Sequence, residues 1–121
     1  MMKLQFTVPG LPRPKQRPRK GMHGNFYTPR ETLLYEQEVW AMALTAGARQ
    51  DCLKGKLISV RLIISPGGSM QDFLHVDGDN VEKSFLDGLR PAFNDSYVSD
   101  MHWTKVMDDS AYLRAEIEED Q

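Results

Sequence analysis

The sequence predicts a single α/β (α+β) domain: a small mixed sheet of about four strands with two main helices, in the order β-α-β-α-β-β. Three observations carry that expectation. Apolar residues alternate with polar ones at Leu4/Phe6/Val8, at Ile58/Val60/Leu62/Ile64 and at Leu113/Ala115/Ile117. Two longer stretches, 30–46 and 79–89, place apolar residues at helical spacing. At 121 residues the chain has material for one modest core, so residues 1–121 are read as one domain.

The first strand is expected over 3–9, ended by Pro9 and Gly10. There follows a basic, proline-rich loop at 10–30 containing LPRPKQRPRKGMHGNFYTPR, with Arg13, Lys15, Arg17, Arg19, Lys20 and Arg30 and no acid. Pro12, Pro14, Pro18 and Pro29 bar it from a helix or a central strand. As a solvated loop it needs no function. As an arm it offers phosphate contacts, with Phe26 or Tyr27 available to stack on bases.

Thr28-Pro29-Arg30-Glu31 reads as a helix start with a threonine cap. That helix is expected to run to about Ala46, with Leu33, Trp40 and Leu44 inward and Gly47 near its end. Residues 57–64 form the second strand, with Ile58, Val60, Leu62 and Ile64 on the better-buried face. Pro66-Gly67-Gly68-Ser69 is a loop. The second helix begins near Asp79, buries Val81, Phe85, Leu86 and Leu89 on one arc, and stops before Pro91. A third strand lies within 97–107 and a fourth around 113–117, joined by a hairpin turn at Asp108-Asp109-Ser110.

No apolar run approaches the roughly 18 residues of a membrane-spanning helix, and the apolar part of MMKLQFTVPG is too short for a signal peptide. Cys52 is the only cysteine, which excludes an intrachain disulfide and a cysteine-based zinc site. A cytoplasmic protein with no membrane partner is expected. The net charge of −2 conceals an asymmetry: residues 1–60 carry 10 Lys/Arg against 4 Asp/Glu, and residues 61–121 carry 5 against 13. The basic footprint of a nucleic-acid binder is therefore present in the first half alone.

The acidic half concentrates around one helix. Asp77 and Asp79 flank its start, Lys83 lies four residues beyond Asp79, and Asp87, Asp95 and Asp100 follow. Each has a structural explanation. Asp79 with Glu82 makes a capping box, Asn94-Asp95 a turn, Asp87 and Asp100 solvated charges, and Lys83 the i+4 partner of Asp79. Asp77, however, is not needed for that cap, and its crowding with Asp79 is unfavourable unless a cation sits there. Mg²⁺ suits carboxylate and phosphate oxygens. Asp95, carried back by the turn, would complete one or two metal sites, with Lys83 stabilising transition-state charge. An EF-hand fails, since its sixth and twelfth positions would be Glu82 and Gly88. His23, His75 and His102 lack zinc-ligand spacing.

The pattern Asp77-x-Asp79-Asn80-x-x-Lys83, then Asp87-x-Leu89, Asp95 with Val98, and Lys105 resembles the RusA family of Holliday junction resolvases. GLPRPKQRPR…YTPRETLLYE resembles the amino-terminal pattern of that family. The resemblance implies a homodimer of mixed α/β subunits that binds four-way DNA junctions and makes paired Mg²⁺-dependent nicks, with Mn²⁺ as a substitute ion. It implies Asp77, Asp79 and Asp95 as metal-binding catalytic carboxylates, Lys83 as the catalytic lysine, and a bacterial or phage-infected cell. Lys105 joins the basic arm as an expected DNA contact. Asn94 departs from the pattern, where family members commonly carry a second aspartate, and Tyr97 stands where glutamine is frequent. The competing reading is a DNA- or RNA-binding protein without nuclease activity that uses the 13–30 arm; a phosphohydrolase acting on nucleotides is a third.

Overall fold

The computed structural model describes residues 2–16 and 18–120, with Arg19 described by its backbone alone. Strand β1 (Lys3–Pro9) is followed by a two-residue ladder, β2 (Arg19–Lys20) with β3 (Phe26–Tyr27). Helix α1 (Arg30–Thr45), strand β4 (Ile58–Pro66), helices α2 (Met70–His75) and α3 (Gly78–Gly88), and strands β5 (Val98–Lys105) and β6 (Ala111–Glu119) complete the order. The main sheet runs β1-β6-β4-β5. β6 is antiparallel to both its neighbours, and β4 and β5 are parallel. The expected α+β class, with a mixed four-stranded sheet, is what the chain adopts.

Register explains the core. Leu4, Ile117 and Val60 form one cross-strand row, Phe6, Ala115 and Leu62 the next, and Val8, Leu113 and Ile64 a third. All nine are buried on one sheet face. The small Ala115 in the middle row leaves depth for two rings, and Phe6 stacks on Phe85 of α3 at 6.0 Å. The alternation of 58–64 and the arc Val81, Phe85, Leu89 are buried as expected, with Leu86 half-buried beside them.

Three expectations are corrected. The residues β5 and β6 do not form a hairpin, because β4 lies between them. The chain from β5 instead passes over the end of β4, where Val106 N donates to Ile64 O and Ser65 Oγ to Ser110 O. The reason is apolar content: most of β4 is buried, whereas β5 is largely exposed. The strand with two faces to cover takes the interior position. Secondly, α1 turns Thr32, Tyr35, Val39 and Ala43 inward, leaving Leu33 and Leu44 exposed and Trp40 half-buried against the core. Thirdly, Thr28 does not cap α1. Pro29 occupies the cap position with no side-chain bond, and its carbonyl accepts from Thr32 N and Leu33 N.

The face of α1 is chosen by α3. A Cβ on Gly88 would lie 2.9 Å from Glu36 O and 3.0 Å from Val39 Cβ, so the two helices touch backbone to backbone there. Gly88→Ala is expected to force them apart and cost about 1–3 kcal/mol. Urea denaturation measures it as a lowered midpoint.

Candidate active site

Helix α3 starts on a side-chain cap, and the capping residue is Asp77 rather than the expected Asp79. Asp77 Oδ1 accepts from Asp79 N at 3.0 Å and Asn80 N at 3.4 Å, and its Oδ2 accepts from Asn80 Nδ2 at 3.3 Å. The crowding of Asp77 with Asp79 thus has a structural counterweight in the amide donors and positive end of the helix dipole. Asp79, one residue into the helix, is exposed and accepts from Trp103 Nε1 of β5 at 3.1 Å. Gly78 makes this contact possible. A Cβ there would lie 2.5 Å from the Trp103 ring, so only glycine lets the indole sit against the helix start.

Lys83 is exposed one turn further along α3. Burial, and then the charge of Asp79, push the Glu82 carboxyl above its ordinary range, while Lys83 pulls it back. Asp79, Glu82 and Lys83 therefore share one electrostatic environment. The segment leading into Asp77 is braced by Lys105, whose Nζ donates to Phe73 O at 2.6 Å and Val76 O at 2.9 Å and stands 4.5 Å over the Phe73 ring. An expected DNA contact is thus bound to backbone beneath the short helix α2, an element the sequence pattern did not announce. His75 is exposed, with Nδ1 on the carbonyl of Gln71 in its own helix.

Asp95 is not carried back to this place. It opens a short 3₁₀ turn, Asp95–Tyr97, that leads into β5 at Val98. Val98 pairs with Ile58 at one end of β4, while Lys105 pairs with Ile64 at the other. Asp77 and Asp79 lie at the Lys105 end. Helix α3 covers about 16 Å between the two ends; Asp79 meets Trp103 near one end of β5, and Asp95 stands three residues before Val98 at the other. Among the described residues no three His, Cys, Asp or Glu side chains come close enough to hold a metal ion. Within one chain the parallel crossover sets Asp77 and Asp79 near one end of β5 and Asp95 before the other. Asn94 caps the turn, its Oδ1 accepting from Ser96 N at 2.9 Å.

The basic arm divides into two parts. Residues 13–16 are laid between the helices: Ser84 Oγ donates to Arg13 O, Lys15 N to Asn80 O and Gln16 N to Thr32 Oγ1. Lys15 Nζ bridges Glu36 of α1 at 2.9 Å and Asp87 of α3 at 2.8 Å. Burial works against its charge, but these two carboxylates hold the amine above its ordinary pKa. Asp87, expected as a solvated charge, is half-buried and also pairs with Arg90. Asp100 pairs with His102 at 3.0 Å. The side chains of Arg13, Lys20 and Arg30 are exposed, and the β2–β3 turn presents Met22, Phe26 and Tyr27 to solvent. Arg17 and the side chain of Arg19 lie outside the described residues.

A family model, endodeoxyribonuclease RusA, matches residues 9–118. The chain belongs to the RusA endodeoxyribonuclease family. No curated protein matches it. The RusA match runs from the end of β1 into β6, so it takes in the basic arm, the start of α3 and the whole of β5. Membership makes the chain a DNA endonuclease of the Holliday junction resolvase type. Sequence reasoning missed Trp103 and Gly78 at the start of α3. The signal available was a glycine between two aspartates at a helix start, a position that has no need of one unless another group approaches closely.

Lys15→Ala is expected to lower stability by about 1–3 kcal/mol, since it leaves half-buried Glu36 without its cation and Asp87 with exposed Arg90 alone. The salt dependence of DNA binding is expected to stay unchanged. Thermal unfolding and a salt titration of binding together separate the two roles.

Proposed function

We propose that this RusA-family chain acts as a homodimer that resolves four-way DNA junctions by paired, Mg²⁺-dependent phosphodiester hydrolysis in recombination and repair. The observation that carries this reading is the RusA match over a chain that keeps Asp77, Asp79 and Lys83 at one helix start. The donor set fits a hard divalent ion, Mg²⁺ or Mn²⁺. Asp79 has an oxygen besides the one that meets Trp103, and Asp77 Oδ2 meets only an amide. Asp77, Asp79 and Asp95 would hold the ion, which when bound supplies charge neutralisation at the phosphate and a more acidic water.

The chain's own residues prepare the rest. Trp103 fixes the direction of the Asp79 carboxylate, Lys105 holds the backbone entering Asp77, and Lys83 offers positive charge to the phosphate being cleaved. Arg13, Lys20 and Arg30, with Arg17 and Arg19 in the same stretch, follow the DNA backbone, while Phe26 and Tyr27 meet bases at the branch. The distance of Asp95 from Asp79 supports a dimer. With one subunit holding two carboxylates at one end of α3 and the third at the other, a complete set forms when a second subunit supplies Asp95. A two-fold junction also calls for two sites related by a two-fold axis. DNA in a bacterial or phage-infected cytoplasm is the substrate this reading expects.

The first test is cleavage of a labelled four-way junction against linear duplex of the same sequence, with Mg²⁺ and with EDTA. Symmetric paired nicks confined to the junction and to Mg²⁺ are expected; tight binding without cutting would sink the nuclease assignment. Asp79→Asn is expected to abolish cleavage and retain junction binding. Mixing Asp79→Asn with Asp95→Asn is expected to restore single nicks, because half of the sites in such mixed dimers are intact. Recovery of nothing in exchanged dimers would place all three carboxylates in one chain. Trp103→Phe keeps the ring but removes the N–H, and cleavage at limiting Mg²⁺ is expected to fall about 10- to 100-fold, with recovery at higher Mg²⁺.

A further inference from the structure

We propose that Asp120, just after β6, is a positioning residue: its carboxylate locks a bulge at Ser99 that lets β5 hold Asp95 at one end and Asp79 at the other. This rests on the reading above that Asp79 and Asp95 belong to the site. Val98 pairs with Ile58 and Asp100 with Ser59, so Ser99 is an extra residue with no opposite number on β4. Bulges are rare in parallel pairs, and beside active sites they serve to re-aim a side chain. Side chains alternate along a strand, so one inserted residue reverses the face that every later one takes.

The reversal has a visible result in β5. Val98, before the bulge, packs against the core, and so does Met101 three residues later. On a regular strand residues three apart face opposite ways. Trp103 and Lys105 keep the phase of Met101, the three pairing with Val60, Leu62 and Ile64 on the buried face of β4. From there Trp103 Nε1 reaches Asp79 at 3.1 Å, and Lys105 Nζ holds Phe73 O and Val76 O ahead of Asp77. On the other side of the bulge, Val98 N donates to Asp95 O and Tyr97 N to Asn94 O, so the turn bearing Asp95 is tied to Val98. Without the extra residue, β5 would turn Val98 inward or Trp103 and Lys105 inward, and not both.

Asp120 straddles the shift in register. Its Oδ1 accepts from Ser59 Oγ of β4 at 2.6 Å, its Oδ2 accepts from Ser99 Oγ of β5, and its N–H donates to Leu57 O at 2.8 Å. The two hydroxyls, that of Ser59 first, hold the carboxyl below its ordinary range. Ser99 Oγ also lies 3.1 Å from Ile58 O, against the strand that it skips. One side chain thus joins the residue that has a partner in the ladder to the residue that has none.

The test uses the full chain, with Mn²⁺ as the probe of the site and a labelled four-way junction as substrate. Asp120→Ala, and Ser99→Ala as a second variant, are expected to speed amide hydrogen exchange over 95–101 without DNA or metal. Both are expected to weaken Mn²⁺ binding about tenfold, read from the spin-resonance signal of the free ion, and to lower cleavage at limiting Mg²⁺ about 10- to 100-fold. Junction binding in EDTA is expected to stay unchanged. Asp120→Asn keeps one acceptor oxygen and is expected to fall between Asp120→Ala and the wild type. Lys3→Ala breaks the ion pair with Glu116 at the far edge of the sheet and is expected to change neither exchange over 95–101 nor Mn²⁺ binding. Wild-type Mn²⁺ binding in Asp120→Ala, or an equal loss in Lys3→Ala, overturns the proposal. Asp95→Asn tells that failure from a failure of the site. If Asp95→Asn loses Mn²⁺ binding and Asp120→Ala does not, the site stands and Asp120 has no part in it. If Asp95→Asn binds Mn²⁺ and cuts like the wild type, the reading of Asp95 is overturned and the proposal with it.

Discussion

Because β5 runs parallel to β4, the chain between them must return along the full length of the sheet, and α3 is the segment that returns. A parallel pair admits no tight turn. Its crossover places the start of the helix over one end of the strands and the entry to β5 at the other. Asp77 and Asp79 stand at the first end and Asp95 at the second. Residues that stand close in a linear motif are thereby held toward opposite ends of β5. The same crossover leaves β5 at the edge of the sheet, beside β4 alone.

Charge in this molecule does structural and chemical work with the same groups. Asp77 caps α3 and faces solvent with its second oxygen. Its cap bonds restrict the carboxylate before any ligand arrives, which lowers the ordering cost of binding one. Lys105 satisfies two carbonyls at the end of α2 and thereby fixes the backbone that enters Asp77. Lys15 clamps α1 to α3 through Glu36 and Asp87. Two of the cations in an apparent DNA-binding set are thus committed to holding the site in shape. Arg13, Lys20 and Arg30 of that set keep exposed side chains.

Helix α3 is seated by two glycine contacts of different kinds. Gly78 admits the Trp103 ring and so a hydrogen bond to Asp79. Gly88, at the far end of the same helix, admits the backbone of α1. Between them α3 is seated on β5 at one end and on α1 at the other, with Phe85 stacked on Phe6 in the middle. A helix fixed at three points presents its exposed carboxylates with little freedom of direction.

The sequence by itself determined the elements whose periodicity is local. Alternation at Leu4–Val8, Ile58–Ile64 and Leu113–Ile117 named the strands and their buried faces, and the arc Val81, Phe85, Leu89 named the inner side of α3. It also grouped Asp77, Asp79 and Lys83, because helical spacing converts directly into proximity. The tertiary structure alone decided matters that depend on partners distant in the chain. α1 offered apolar residues on more than one face, and the close approach at Gly88 selected Tyr35 and Val39 over Leu33 and Leu44. The apolar bulk of β4 carried it between β5 and β6, which no turn composition at Asp108–Ser110 announced. Lys15 and Lys105 were drawn to carboxylates and carbonyls that only packing brings within reach. Local spacing is written in the chain; who stands opposite whom across the sheet is set by which surfaces bury best together.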